Sequence, residues 1–183
     1  MQNIGELRQL ILKKEFYFIR HGQTDHNILK SKQPEDISLN DTGRAQAQAI
    51  EPIIATLPVK AVCSSPMKRV QETKALITPR IEVPHHTIDY FSECSGKIWR
   101  EMVAHGMFCP PPAEGEARLF MDAIREGINQ ALLLPGSPLI VAHGGTHWAL
   151  CCMMGITSHE WAIGNCALIH FHCNHGKWTA KKL

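Results

Sequence analysis

Apolar runs and amphipathic stretches alternate along the chain. Phe16-Tyr17-Phe18-Ile19 is a short apolar, aromatic and β-branched run of the kind that fills a strand buried on both faces. A polar loop follows to about Asn40. From Thr42 the spacing predicts a helix with Ala45, Ala49, Ile50 and Ile53 on one face and Gln46 and Gln48 on the other, ended by Pro58. A strand at Ala61-Val62-Cys63 comes next, then a helix to about Ile77 with Pro66 in its first turn and Ser65 as the N-cap candidate. The 79–90 stretch, with Pro79 and Pro84, reads as extended and loop-like. Gly106 to Gly115 holds three consecutive prolines, Pro110 to Pro112, and is expected as a surface loop before a helix from Glu116 to Leu134.

Pro135-Gly136 closes that helix, and Leu139-Ile140-Val141-Ala142 is a second fully buried strand candidate. His143-Gly144-Gly145 leads into a helical stretch through Met154. Residues 167–183 suggest two strands joined near Asn174-His175-Gly176. Near the start, Ile4, Leu7, Leu10 and Ile11 share one face of a short terminal helix. This order of elements argues an α/β fold with a largely parallel sheet. With no internal repeat or break in composition, residues 1–183 are expected to form one domain.

Composition narrows the function classes. The chain is 44% hydrophobic and 20% charged, as globular soluble proteins are, and its formal net charge is +2. That balance announces neither a polybasic nucleic-acid surface nor an acidic tail. No stretch approaches the ~18 apolar residues that span a bilayer. Glu6, Arg8 and Gln9 interrupt any signal-peptide core, so no membrane partner and a cytoplasmic location are expected. Seven cysteines in 183 residues, about 4%, fall below the ~8–10% of a disulfide scaffold, and an odd number leaves one unpaired. Reduced packing residues are the expectation, Cys151-Cys152 among them as helix core.

Eleven histidines invite a metal reading. It rests on His170-Phe171-His172-Cys173-Asn174-His175, where positions two apart share one face of a strand. Ile169, Phe171 and Cys173 take the other face, so a half-buried strand accounts for the pattern and no metal is expected. His85-His86 falls in a proline-flanked loop and is expected to be exposed.

The chemistry concentrates at strand ends. Arg20-His21-Gly22-Gln23-Thr24 starts where the first strand stops, and His143-Gly144 starts where the other strongest strand stops. Open α/β sheets place their ligands at that edge. Imidazole can serve as a nucleophile, guanidinium grips phosphate oxygens, and glycine lets backbone N–H groups approach closely. Cys63-Ser64-Ser65-Pro66 leads into a helix with Arg69 in its first turn, adding a second guanidinium near a positive helix end. The set suits a tetrahedral anion.

These residues carry a resemblance. Arg20-His21-Gly22-Gln23-Thr24 with Asn27 is similar to the R-H-G-[E/Q]-T-x-x-N signature of the histidine phosphatase superfamily, the phosphoglycerate-mutase-like fold. Leu39 to Ala47, Ser64 to Thr73 and Val141 to Gly145 resemble its further motifs in the same order. The resemblance implies a three-layer αβα sandwich around a mostly parallel sheet. It further implies a phosphomonoesterase in which His21 takes up the phosphoryl group as phosphohistidine. Arg20, Arg69, His143 and the backbone at Gly144 would hold the phosphoryl oxygens, and Asn27 would add a hydrogen bond. No metal or other cofactor is needed where two arginines and a second imidazole supply the charge.

The proton donor implied is Glu93, from Glu93-Cys94-Ser95-Gly96-Lys97-Ile98-Trp99, similar to the family's E-x-x-x-G-x-W with the glycine one place early. Asp89 and Glu101 remain alternatives, and Glu116 is read as supporting the pocket. His147, one helical turn after His143, is a possible neighbour of the site. The 97–115 segment, with Trp99, Arg100, His105, Met107 and Phe108, would line the entrance and admit a small organic phosphate ester. Two other functions compete: mutase-type phosphoryl transfer, which would need a longer enclosing insertion than the about two dozen residues near 93–115, and a catalytically weak phosphate-binding module. Oligomeric state has no signature.

Overall fold

A computed structural model describes residues 15–29, 36–105, 112–157 and 163–183. The expected terminal helix at Ile4–Ile11, and Pro110, Pro111, Met107 and Phe108 of the loop, lie outside the described residues. Among the described residues six strands form one sheet: β1 (Glu15–Arg20), β2 (Val59–Ser64), β3 (His85–Thr87), β4 (Ser137–Ala142), β5 (Leu168–Asn174) and β6 (Lys177–Lys182). Their order is β3-β2-β4-β1-β5-β6. All neighbours from β3 to β1 pair in parallel, while β5 runs antiparallel to both β1 and β6. A single reversed strand thus interrupts an otherwise parallel sheet.

Helices cover both faces. The short α1 (Asp25–Leu29) follows β1 and buries no side chain; on one side of the sheet α2 (Asp41–Ile54) and α3 (Lys68–Ile77) supply Ala47, Ile54, Val70 and Ile77 to a core with Tyr17, Ile19, Leu139 and Val141. On the other, α4 (Gly96–Ala104), α5 (Glu116–Leu133) and α6 (Gly144–Met153) bring Met102, Met121, Ile124 and Trp148 against Phe16, Phe18, Ile140 and Phe171. The result is a three-layer αβα sandwich. Alternate residues of β1 and β4 feed the two cores, which is why both strands are continuous apolar runs. Among the described residues no helix is long and apolar enough to cross a membrane.

Several local expectations change. The buried face of α2 is Gly43, Ala47 and Ile54, with Ile50 half-buried, whereas Ala45, Ala49 and Ile53 are exposed. Asn40 starts that helix by accepting the Gly43 N–H at Oδ1 (2.9 Å), and it stops at Ile54, before Pro58. Ser65 does not cap α3, which begins three residues later with Met67 at the N-cap. The 79–90 stretch contains β3, held by parallel pairing of His85 with Val62, and a single 3-10 turn at Asp89–Phe91. His85 is exposed and His86 half-buried there. The start of the entrance segment is not loop but α4, capped by Ser95 Oγ, which accepts from Ile98 N at 3.3 Å. The closing hairpin turns at His175 and Gly176, both with positive φ (47° and 76°), as a tight two-residue turn requires.

Gly22 and Gly43 bring the loop after β1 into contact with the first turn of α2. A β-carbon on Gly22 would stand 2.5 Å from the Gly43 carbonyl oxygen, and one on Gly43 would stand 2.7 Å from the Gln23 nitrogen. Because backbone atoms are the obstacle, Gly43→Ala should cost about 1–3 kcal/mol of stability, read from the urea midpoint, and should loosen anion binding as well. An unchanged midpoint would show that the loop yields without cost.

Candidate active site

The sheet delivers the two histidines together. Arg20 pairs with Ala142 in the parallel β1–β4 register, and the next backbone N–H, that of His21, donates to the Ala142 carbonyl at 3.0 Å. From β1 the chain moves outward to β2 and β3 and returns to β4 beside β1, so the crevice between their C-terminal ends is a topological switch point. The rings of His21 and His143 lie 5.3 Å apart and inclined at 65°, and their residues are 2% and 0% exposed.

Each ring is oriented by its neighbours. His21 Nδ1 is 2.7 Å from the Gly22 carbonyl oxygen. A carbonyl only accepts, so Nδ1 carries the proton and the Nε2 lone pair is left outward. Arg69 Nε donates to that Nε2 at 3.2 Å. The Gly22 peptide is in turn fixed by its N–H to Thr73 Oγ1 (3.0 Å), whose hydroxyl donates to the Arg69 carbonyl (2.6 Å). His143 Nε2 lies 2.9 Å from Ser65 Oγ, which also accepts from Met67 N at 3.3 Å. The Ser65 hydroxyl, one donor with two acceptor lone pairs, can serve His143 Nε2 in either direction, and His143 Nδ1 has no hydrogen-bond partner among the described residues. Glu93 Oε2 stands 3.9 Å from it.

Arg20 donates from Nη1 to the Ile163 carbonyl (2.6 Å), while its buried Nε has no hydrogen-bond partner among the described residues. Asn27 spends its Oδ1 on Thr24 N (3.0 Å), Thr24 Oγ1 (3.1 Å) and Asn165 Nδ2 (3.3 Å), so its own amide is left as a donor. A pocket of about 470 Å³ is lined by Arg20, His21, Asn27, Arg69 and Glu93, with Ile37, Met67, Cys94 and Trp99 as its less polar wall. His143 is fully buried and off the lining, and half-buried Gly144 lies against the Arg20 guanidinium.

Residues 16–183 match the family described as Histidine phosphatase superfamily (branch 1). The chain belongs to the histidine phosphatase superfamily. It is 26% identical over 181 residues to an agropine synthesis reductase of Rhizobium rhizogenes, covering 92% of this chain and 41% of that protein. The chain therefore spans about two fifths of the length of the first curated relatives it matches. An uncharacterized phosphatase, PhoE of Bacillus subtilis, is 33% identical over 76 residues, 41% of this chain and 39% of its own. Among solved structures, a phosphoglycerate mutase from Bacillus anthracis superposes with a TM-score of 0.73 at 17% identity, covering 93% of each chain, and the fold is phosphoglycerate-mutase-like.

In this histidine phosphatase domain one of the acids considered lines the pocket. Glu93 does so, its Oε1 accepting from Cys94 N at 3.0 Å and its side chain 26% exposed. Asp89 is exposed on the 3-10 turn and away from the lining. Glu101 accepts from Ala117 N (3.3 Å) at the start of α5, and Glu116 pairs with Lys97 at the surface. Gly145 allows Glu93 to come close, since a β-carbon there would collide with Glu93 Oε1. His147 does not border the pocket: it is fully buried between Phe18 and Phe171, ring centroids 5.7 and 5.9 Å away. Arg100 and His105 are exposed and do not line it either. Sequence alone points to no role in the site for Thr73, Asn165 or Ser65, the last expected only as a helix cap; Thr73 and Ser65 lie inside the Ser64–Thr73 motif, and Asn165 carries no signal.

Burial, then the neighbouring Arg69, pushes the His21 ring down to about 3, and burial and His21 hold His143 well below the usual imidazole range. Both rings are neutral at pH 7, and burial raises Glu93 despite Arg69 and Arg20. His21, Glu93 and His143 offer ligand atoms within 4.8 Å of one another. Two guanidiniums beside that set repel a cation and attract an anion.

Stability should follow these shifts. Above the unfolded imidazole value of ~6.5 the contribution of the neutral rings is complete; below it the unfolded chain takes up protons that the folded chain refuses, down to about pH 3 for His21. Glu93 acts in the opposite sense above the unfolded carboxylate value, as one group against two. The urea midpoint should therefore fall as pH drops from 7 to 4.5, and fall less steeply in His21→Asn/His143→Asn. Equal slopes would place the acid sensitivity elsewhere.

Proposed function

We propose that the chain is a metal-independent phosphomonoesterase that works through a phosphohistidine on His21. The observation that carries this reading is the Nδ1 hydrogen bond to the Gly22 carbonyl, which leaves an unprotonated Nε2 at a pocket shared with two guanidiniums and one carboxyl group. In the first step the Nε2 lone pair forms a bond to phosphorus as the ester P–O bond breaks. The leaving oxygen takes the Glu93 proton. In the second, the Glu93 carboxylate removes a proton from water, whose oxygen displaces His21 and releases phosphate. Each step spreads charge over three phosphoryl oxygens, to which Arg20, Arg69, the Asn27 amide, His143 Nδ1–H and the Gly144 N–H can donate. Arg69 Nε passes from His21 to a phosphoryl oxygen when the anion arrives.

The raised Glu93 value suits a group that must enter the cycle protonated. Trp99, Met67 and Ile37 on the wall favour a small organic phosphate ester with an apolar portion. We take residues 1–183 as one domain carrying this activity.

Hydrolysis of p-nitrophenyl phosphate should persist in excess chelator and vanish in His21→Ala. A base-stable, acid-labile phosphoenzyme should be trapped with the wild type. Turnover abolished by chelator would overturn the metal-free reading, and phosphate binding without turnover would favour a binding module. Glu93→Gln should lose about 10²–10⁴-fold with an alkyl phosphate and less with p-nitrophenyl phosphate, whose leaving group needs little protonation. Since the acid form of Glu93 is the active one, kcat/KM for the alkyl ester should fall as pH rises through its raised value. The acid limb from His21 should lie near pH 3, and Glu93→Gln should remove the basic limb alone.

A further inference from the structure

At the opposite end of β1 a second group of ligating side chains comes together, and it does not depend on the reading above. His170 and His172 are two apart on β5 and share one face, and the antiparallel register sets Glu15 directly opposite His172 and Tyr17 opposite His170. Glu15 Oε2 lies 3.1 Å from His170 Nε2 and 3.9 Å from His172 Nδ1. One ligand atom from each of the three falls within 4.8 Å of the others. We propose that Glu15, His170 and His172 form a binding site for one divalent late first-row transition ion, of which Zn²⁺ is the representative.

Tetrahedral arms of ~2.0–2.1 Å put neighbouring ligand atoms ~3.3 Å apart, so side-chain rotation closes the set without moving the sheet. Two imidazoles and a carboxylate select such ions over Mg²⁺ or Ca²⁺, which prefer oxygen throughout. The ligands are already oriented. Ser137 Oγ donates to the other carboxylate oxygen of Glu15 at 3.2 Å, and the Tyr17 ring stacks on His170 at 4.8 Å and 18°. The side chains of His170, His172 and Glu15 are 25%, 46% and 38% exposed, which gives the ion a way in and water as a fourth ligand. Lys181, opposite His170 on β6, is the cation that opposes binding, and its exposed side chain can extend into solvent. Five residues of strand, ~17 Å, separate Glu15 from Arg20, so this is not the anion pocket. His175, in the hairpin turn, is not part of the group. Bound there, the ion ties β1 to β5.

Tag-free protein stripped with chelator and then equilibrated with micromolar Zn²⁺ should hold one equivalent at this site by metal analysis. His143→Asn, which disrupts the other three-ligand group, should keep that equivalent. His172→Asn and His170→Asn should lose it, and Glu15→Gln should bind at least about tenfold more weakly. Zn²⁺ should raise the Tm of the wild type by several degrees and leave His172→Asn unmoved. His172 is exposed, so this variant should retain the metal-free Tm and p-nitrophenyl phosphate hydrolysis even if His170→Asn folds poorly. No equivalent bound by the wild type, or one that survives His172→Asn and disappears with His143→Asn, would overturn the proposal.

Discussion

The parallel pairing of β1 with β4 is the contact on which the site depends. Its register sets Arg20 opposite Ala142, and the His21 N–H to Ala142 carbonyl bond carries the pairing one residue past the strand. His21 and His143 therefore leave the sheet side by side. A slip of one residue would send every side chain of β1 to the other face, exchanging Phe18 for Ile19 between two differently shaped cores. Packing on both faces thus holds a polar arrangement that could not hold itself.

That arrangement is costly to bury when empty. Arg20 Nε and His143 Nδ1 have no hydrogen-bond partner among the described residues, and a buried unpaired polar atom costs roughly 1–3 kcal/mol. Two imidazoles are kept neutral against their solution tendency by burial and by adjacent guanidinium charge. A tetrahedral anion relieves both penalties, giving the donors acceptors and the guanidiniums a counter-charge. The features that weaken the free fold are the ones proposed to bind the phosphoryl group, and Gly22, Gly43 and Gly145 permit the close approaches that assemble them.

Much of the frame was legible from local pattern. The runs at Phe16–Ile19 and Leu139–Ala142 sit within β1 and β4, and the closing hairpin turns where Asn174-His175-Gly176 suggested. The 79–105 region was not legible. A three-residue edge strand such as β3 exists by pairing with β2, and α4 begins on a glycine, a poor helix former. The face of α2 was misread because small alanines satisfy either side, and Ile53 is apolar yet exposed. His147 could not be placed because α6 is buried almost all round, which erases the periodicity that tells one face from another.

At the candidate site the structure brings together His21, Arg20, Arg69 and His143, which the sequence offers as candidates because their types and local neighbours lie within a few residues of strand ends. The tautomer of His21 needed the Gly22 carbonyl and its Thr73 anchor in three dimensions. The choice among Asp89, Glu93 and Glu101 needed to know which carboxyl group faces the pocket. His170 and His172 acquired a third ligand only when strand pairing brought up Glu15, 155 residues away from His170. Sequence by itself determined the long elements outside 79–105 and the reactive residue types, since backbone preference and hydrophobic period act over a few positions. Tertiary structure alone decided protonation, direction and partnership, since these depend on burial and on atoms that only the packed sheet brings within a few ångströms.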